Sequence, residues 1–583
     1  MVERSARHIV VYGKGGIGKT TVATNLAEAM QDIGYRSMII GCSPKTSLID
    51  AYFLSDDMMP VLELKRSTAV TDDNFDHAFH VTPQGIILLE TGGPEPGIGC
   101  AGVGLPVAFR EIEAHRKVIP DYDQVNYVFY DLIGDIVCGG FSTPLRGGDR
   151  EVIVVASGEL MAIYAANNIL RGISAMGGRI KILGMVLNER GVTAEREVVE
   201  AFSERTNVPI LARIPRDVLS FKEAAQKGGP LVRVMPESSI ATTFRELAER
   251  LDKDPVYVTP KPIEKYDELF ELFMAFQRDQ ITQNDVSYEA YQKRIPSELV
   301  SRPVAKRIAI YGTGGIGKST TSTNVTAALV LLGERVFQLG CDPKRDSIAN
   351  LCRELKPTYL DALAKLPSMR GIDRDFLTKL IFPGDGFNGD RVFGAECGGP
   401  PPGRGCGGKG VDLSMKLLEE NKVLDPYGFT FILYDVLGDT VCGGFARPLN
   451  FAPQVYIVTS GEVPSMTQAL KIAQSVDAAA GRGVPVGIGG IINNMRGVPH
   501  EREIVEEVFG AVGLPVAGHI PRSDLVQKSE NFRTTVVQAF VDSEQTVCYV
   551  ELARQIQANE DRNLLKRPIL STREVMEIVR KYE

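Results

Sequence analysis

Residues 8–20 read HIVVYGKGGIGKT and residues 307–319 read RIAIYGTGGIGKS. Each is a short, largely β-branched run that flows into GxxxxGK[ST], a loop whose glycines let backbone N–H groups turn inward around phosphates. In that pattern the lysine meets the outer phosphates and the hydroxyl after it holds Mg²⁺, roles that fall to Lys19 and Thr20 and again to Lys318 and Ser319. The loop glycines are Gly13, Gly15, Gly16 and Gly18 in the first copy and Gly312, Gly314, Gly315 and Gly317 in the second. Beyond the first loop Val22, Leu26, Met30 and Ile33 mark one face of a helix. An apolar strand before the loop and a helix after it give the short pattern its weight.

Working outward, the second half repeats the first in motif order. SMIIGCSPK (37–45) answers VFQLGCDPK (336–344), GGPEPGIGCAG (92–102) answers GGPPPGRGCGG (398–408), and YDLIGDIVCGGF (130–141) answers YDVLGDTVCGGF (434–445). SGE at 157 and 460, LNERG against NNMRG, and ARIPR against GHIPR follow in the same order. Each copy ends on a proline-started segment with helical apolar spacing, 258–276 and 566–582. The expected domains are therefore residues 1–276 and 305–583. Between them lies a polar linker, 277–304, which fully extended reaches about 90 Å. Strand-length runs separated by helix-length segments predict an α/β fold in each half: a P-loop NTPase domain with a mainly parallel sheet and helices on both faces. The linker is long enough for the two domains to pair as a pseudo-dimer.

Composition narrows the function classes. Hydrophobic residues at 44% and charged residues at 24% belong to an ordinary globular protein. A formal charge of −8 without a Lys/Arg-rich block argues against nucleic acid and anionic membranes as partners. No run approaches the ~18 apolar residues of a membrane helix, and Met1 to Tyr12 lacks the pattern of a signal peptide. The expected location is the cytoplasm, with the nine cysteines reduced, catalytic or metal-bound.

Asp131 with Asp135, and Asp435 with Asp439, follow apolar strands, where a carboxylate reaches Mg²⁺ through water or orients the attacking water. Each copy also has a cysteine in a glycine-rich loop (Cys100, Cys406) and another after the aspartate pair (Cys138, Cys442). Close backbone N–H groups suit a negatively charged cluster. Two cysteines do not complete a four-cysteine site, but two domains together do; four free thiols copied by duplication are the alternative.

These motifs resemble the nitrogenase iron protein and its relatives, the iron-sulfur ATPase subunits of protochlorophyllide and chlorophyllide reductases. The resemblance rests on GKGGIGKT, GGPEPGIGCAG, DIVCGGF and SGELMAIYAANNI in the first half and on GCDPKRDS, GRGCGGKG and YDVLGDTVCGGF in the second. It covers both halves nearly end to end. Members are homodimers that hold one 4Fe-4S cluster between subunits, so the resemblance implies Cys100, Cys138, Cys406 and Cys442 as ligands, one cluster per pair of halves, and MgATP at both loops. It also implies Asn188 and Asn494 near the adenine. Cys42 and Cys341 read as packing, Cys352 and Cys548 as inert. Cys397, with Thr91 in its place in the first copy, is a competitor for iron.

The copies depart from the family in complementary ways. A lysine early in the family's loop reaches across the dimer to the opposite nucleotide; it is present as Lys14 and replaced by Thr313. Two aspartates near Mg²⁺ and the terminal phosphate are present as Asp342 and Asp346 and replaced by Ser43 and Ser47. If unlike halves pair, within one chain or between swapped chains, the second loop's nucleotide meets Lys318, Asp342, Asp346, Asp439 and Lys14. The first loop's nucleotide keeps Asp135 but lacks both aspartates and the trans lysine. Where the family presents an arginine that docks on its partner, this chain has Val103 and Lys409.

The expectation is an ATP-dependent reductase component that takes electrons from a low-potential donor such as ferredoxin or flavodoxin. It hands them to a separate catalytic metalloprotein of the nitrogenase-like kind. A partitioning or scaffold ATPase of the same P-loop superfamily, and a cluster-carrying regulatory protein, stand as alternatives.

Overall fold

The apolar runs before the two glycine loops form strands β1 (Arg7–Gly13) and β9 (Lys306–Gly312), buried along most of their length. The computed structural model describes residues 6–43, 46–52, 54, 57–93, 101–132, 143–146, 149–176, 180–277, 288–342, 345–366, 372–399, 407–436, 438 and 443–582. They fall into two compact units, one of described residues up to 277 and one from 288 onward.

In the first unit the further strands are β2 (Ser37–Cys42), β3 (Phe79–Val81), β4 (Ile87–Glu90), β5 (Tyr127–Leu132), β6 (Arg150–Ala156), β7 (Ile180–Asn188) and β8 (Ile210–Ile214). They form one sheet in the order β3-β4-β2-β5-β1-β6-β7-β8. The second unit has β10 (Val336–Cys341), β11 (Phe382–Pro383), β12 (Val392–Glu396), β13 (Phe431–Val436), β14 (Gln454–Thr459), β15 (Gly487–Asn494) and β16 (Val516–Ile520). Its order, β11-β12-β10-β13-β9-β14-β15-β16, is the same. The edge pairs β3/β4 and β11/β12 are antiparallel and the other pairings parallel.

Strands covered on both faces read as continuous apolar runs because neither set of alternating side chains meets water. Val10 and Tyr12 enter one core layer of the first sheet, Ile9 and Val11 the other. Ala309 and Tyr311 against Ile308 and Ile310 repeat the division. The helix after the first loop, Lys19–Asp32, buries far more than the expected stripe: Ala23, Asn25, Ala27 and Glu28 are covered along with Val22, Leu26 and Met30. It lies between the sheet and the helix Ser239–Lys253. Ile33 falls just past its end.

The stretch read as linker is not free throughout. Tyr288–Arg294 is helical, and Tyr291, with no exposed surface, donates its hydroxyl to the Ala327 carbonyl at 2.8 Å and meets Phe387 edge-on. Val300 N–H donates to Gly333 O at 2.9 Å, and Arg302 is paired with the buried Glu334 at 3.0 Å. Residues 288–302 thus belong to the second unit. At the other end of the stretch, Gln277 Nε2 donates to Thr193 O at 3.1 Å in the first unit. Bridges to equivalent strands also match, Ile182↔Val258 at the start of the first terminal segment and Ile488↔Asn563 just before the second.

Candidate functional site

Both glycine loops run from the carboxyl end of the central strand into a helix that begins at the motif lysine, Lys19–Asp32 and Lys318–Leu331. The loop therefore closes over the N–H groups of a helix N-terminus, which favour anions. Gly18 and Gly317, immediately before the lysines, have φ of 102° and 96°. A Cβ on either would stand 2.4 Å from Nδ2 of Asn188 or Asn494. Those two amides each donate at 2.7 Å to a loop carbonyl, of Ile17 and of Ile316. The asparagines implied at the adenine are thus also props of the phosphate loop. Lys19 is buried and its Nζ donates to the Lys14 carbonyl at 3.2 Å. Lys318 is buried as well.

Asp131 and Asp435 end the neighbouring strands β5 and β13, in register with β1 and β9. Thr20 donates its hydroxyl to Asp131 Oδ2 at 2.5 Å, while the buried Oδ1 has no hydrogen-bond partner among the described residues. Burial pushes the Asp131 carboxyl above the ordinary range; Lys19 and the Thr20 hydroxyl pull it back. Asp435 behaves alike: burial raises it, Lys318 and the hydroxyls of Ser319 and Ser347 lower it, and Asp342 raises it again. A hydroxyl and a strand-end carboxylate beside a buried lysine fit the first and second coordination shells of a hydrated Mg²⁺. Asp135 and Asp439 lie outside the described residues.

The segment after β2 and β10 differs in charge and in where its helix begins, at Ser47 in the first unit and at Ala349 in the second, but the two share one backbone bond. Thr46 N–H donates to Ser43 O and Arg345 N–H to Asp342 O, at 3.2 and 3.3 Å, with Thr46 and Arg345 both left-handed (φ 54° and 64°). On this shared turn the first unit presents Ser43 and Ser47 and the second Asp342 and Asp346. In the second unit Glu396, at the end of β12, is pushed well up by burial and further by Asp346 and Asp435, while the Ile348 N–H on its Oε1 opposes the shift. Asp435 thus feels Asp342 and Glu396 as well as Lys318, and Glu396 feels Asp346; Asp342, Asp435 and Glu396 are buried. Protonation, which burial favours, or added positive charge relieves the repulsion within such a set.

A second anchoring device went unread in the sequence. Glu195 is buried and accepts the N–H groups of Gly158 (3.0 Å), Arg190 (2.8 Å), Gly191 (2.9 Å) and Val192 (3.4 Å). Glu501 gathers those of Gly461, Arg496, Gly497 and Val498 at 2.8 to 3.1 Å. Each follows a left-handed residue, Ala194 or His500. The loops so tied carry Arg190 and Arg496, whose guanidinium groups donate to the glycine-loop carbonyls of Gly16 and Gly315. The repeated glutamate-arginine-glutamate at 195–197 and 501–503 was the available signal.

The profile of the family described as 4Fe-4S iron sulfur cluster binding proteins, NifH/frxC family, matches residues 7–279 and again 306–583. The chain belongs to the NifH/frxC family. Among its relatives is "Nitrogenase iron protein 2" of Methanobacterium ivanovii, 44% identical over 260 residues, 44% of this chain and 92% of that protein. Solved structures that resemble it include the cell division ATPase MinD of Pyrococcus furiosus (25% identity, 43% of this chain and 99% of that one, TM-score 0.34). Another is cobyrinic acid a,c-diamide synthase of Mycobacterium smegmatis (21% identity, 44% and 99%, TM-score 0.32).

The four cysteines that the NifH/frxC resemblance assigns to the cluster, Cys100, Cys138, Cys406 and Cys442, lie outside the described residues. Helices start directly after two of them, Ala101–Ala114 and Gly407–Glu420. Val103 is 69% exposed on the first of these, and Lys409 is exposed on the second. Cys42, Cys341 and Cys397 are buried, and burial pushes the Cys42 and Cys341 thiols well up, as packing residues require. Cys352 is pushed up to about 12 by burial. Among the described residues no group of histidine, cysteine and carboxylate side chains is arranged to hold a metal ion, and no helix is long and apolar enough to cross a membrane.

Proposed function

We propose that this chain is an ATP-dependent iron-sulfur reductase component whose two halves pair, with one complete and one degraded ATP site. The observation that carries the reading is the family match over both halves, each with an intact glycine loop, lysine and strand-end aspartate. A 4Fe-4S cluster held by Cys100, Cys138, Cys406 and Cys442 would supply low-potential one-electron transfer to a separate nitrogenase-like metalloprotein, refilled by a ferredoxin or flavodoxin.

At the second glycine loop Lys318 neutralises the outer phosphates, and Ser319 with Asp435 holds hydrated Mg²⁺. Asp342 and Asp346 bracket the terminal phosphate, Asp439 orients water, and Lys14 reaches in from the other half. Hydrolysis belongs to this site. The first loop keeps Lys19, Thr20, Asp131 and Asp135, enough to bind nucleotide. It lacks the acidic bracket, because Ser43 and Ser47 occupy the same turn, and a trans lysine, because Thr313 stands in place of one. ATP changes the pairing of the halves only to the extent that it binds one arrangement more tightly, and a lysine contributed in trans supplies that difference.

The test is native mass spectrometry with iron counting on the full chain purified without oxygen, followed by ATP turnover under reducing conditions. The expected result is a brown 63.6 kDa monomer with about four irons. Colourless, iron-free protein that hydrolyses ATP would overturn the redox reading in favour of a scaffold ATPase.

A further inference from the structure

The strand that leads into the acidic turn of the second unit carries a polar residue where the first unit has an aliphatic one. Gln338, on β10 and with no exposed surface, occupies the place of Ile39 on β2. Its Oε1 accepts the Thr326 hydroxyl at 2.7 Å, and its Nε2 donates to the Ser347 carbonyl at 2.8 Å and the Ser347 hydroxyl at 2.9 Å. Every polar atom of this buried amide is satisfied, and two of its three bonds end on the residue after Asp346.

The arrangement continues to the site. While both buried oxygens of Asp435 lack a hydrogen-bond partner among the described residues, the residue after Ser347, Ile348, donates its N–H to Glu396 Oε1 at 2.9 Å. Gly340 permits this approach: a Cβ there would stand 2.0 Å from Glu396 Oε2 and 2.7 Å from the Ser347 Cβ. All three polar positions are apolar in the first unit, where Ala27, Ile39 and Leu48 are completely buried in one aliphatic layer. The unit that has lost the acidic bracket repeats the approach of glycine and glutamate, Gly41 against Glu90, but has no counterpart of the Thr326–Gln338–Ser347 network.

A buried amide network is held only at the cost of desolvating every member, and its return is a fixed geometry. Aliphatic packing is available to this fold at the same three places and provides none of that direction. We infer that Gln338, with Thr326 and Ser347, is a positioning residue of the second nucleotide site. It fixes the 346–348 segment so that Asp346 presents its carboxylate to the Mg²⁺-bound terminal phosphate. The inference rests on the reading of the second site as the hydrolytic one.

The test compares three forms of the full chain with the unsubstituted protein: Thr326→Ala/Gln338→Ile, which installs the first unit's residues, Ser347→Ala, and Asp346→Asn. In nucleotide-free protein the amides of 347–351 should exchange hydrogen faster in the first form while exchange in the sheet stays unchanged. ATP turnover should fall about tenfold at saturating ATP, the loss typical of a catalytic group displaced by a fraction of an ångström. The Mg²⁺ needed for half-maximal rate should rise, and nucleotide affinity should hold. Ser347→Ala, which keeps the backbone bond, should give the same effects at smaller size and covers the case in which the double variant does not fold. Unchanged exchange, rate and Mg²⁺ dependence, with Asp346→Asn inactive, would overturn the positioning role alone. Full activity of Asp346→Asn would overturn the hydrolytic assignment and the inference with it.

Discussion

Glu195 receives the backbone N–H of Arg190 on both carboxylate oxygens, at 3.0 and 2.8 Å, and Arg190 in turn holds the Gly16 carbonyl of the glycine loop. Glu501 and Arg496 repeat this in the second unit, so each nucleotide loop is braced by a carboxylate that never touches it. Replacing Glu501 by Ala strands several N–H groups, at about 1–3 kcal/mol of stability. It should also raise the nucleotide dissociation constant of the second loop, measured with a fluorescent ATP analogue. Glu501→Gln keeps the shape but turns an amide donor on those donors, and should show the same change.

Lys14 and Lys19 separate the two sites functionally. Lys14→Ala should abolish most ATP turnover, because the proposed hydrolytic site draws on it, while Lys19→Ala should cost little. Equal losses in steady-state hydrolysis would sink the asymmetry.

Because Ser43 and Thr46 share the backbone bond and the left-handed residue of Asp342 and Arg345, the missing side chains should restore hydrolysis at the first site, at a rate below that of the second, which also has the Gln338 support. Ser43→Asp with Ser47→Asp and Thr313→Lys should raise the burst of ATP hydrolysed from one per chain toward two, read by rapid quench. A burst unchanged in size, with nucleotide bound at both loops, would show that more than these residues has been lost.

Glu28 gives a pH dependence to the first unit only, since Ala327 occupies its place in the second. Burial pushes its carboxyl from 4.5 to about 7, against the Arg233 charge and the Tyr52 hydroxyl, which donates at 3.2 Å. The folded pKa is raised. Its contribution is therefore full below pH 4.5 and is lost as pH climbs through about 7, a swing of up to about 3 kcal/mol. Glu28→Gln should flatten the fall in the first unit's thermal midpoint between those limits.

Much of this was legible in the sequence because the loops and parallel strands are local signals. HIVVYG and RIAIYG are continuous apolar runs, and the lysine and hydroxyl positions follow from the loop itself. What escaped depends on what faces a side chain. Glu195 and Glu501 at helix starts look like ordinary first-turn acids, and only the fold brings two loops to each of them. Tyr291 looks solvated within a polar stretch. Gln338 interrupts an apolar strand without disclosing that Thr326 and Ser347 arrive opposite it. The helices behind the glycine loops were read as one-sided, yet a second helix layer covers their other face.

Tyr291 also decides where this polypeptide can be divided. The family profile resumes at residue 306, but the second core begins with an aromatic ring from residue 291. A gene cut at 306 would yield a fragment with Phe387 and the Ala327 carbonyl uncovered. Separate expression of the halves, recombination of them in trans, or grafting the second onto another carrier calls for a break upstream of Tyr288.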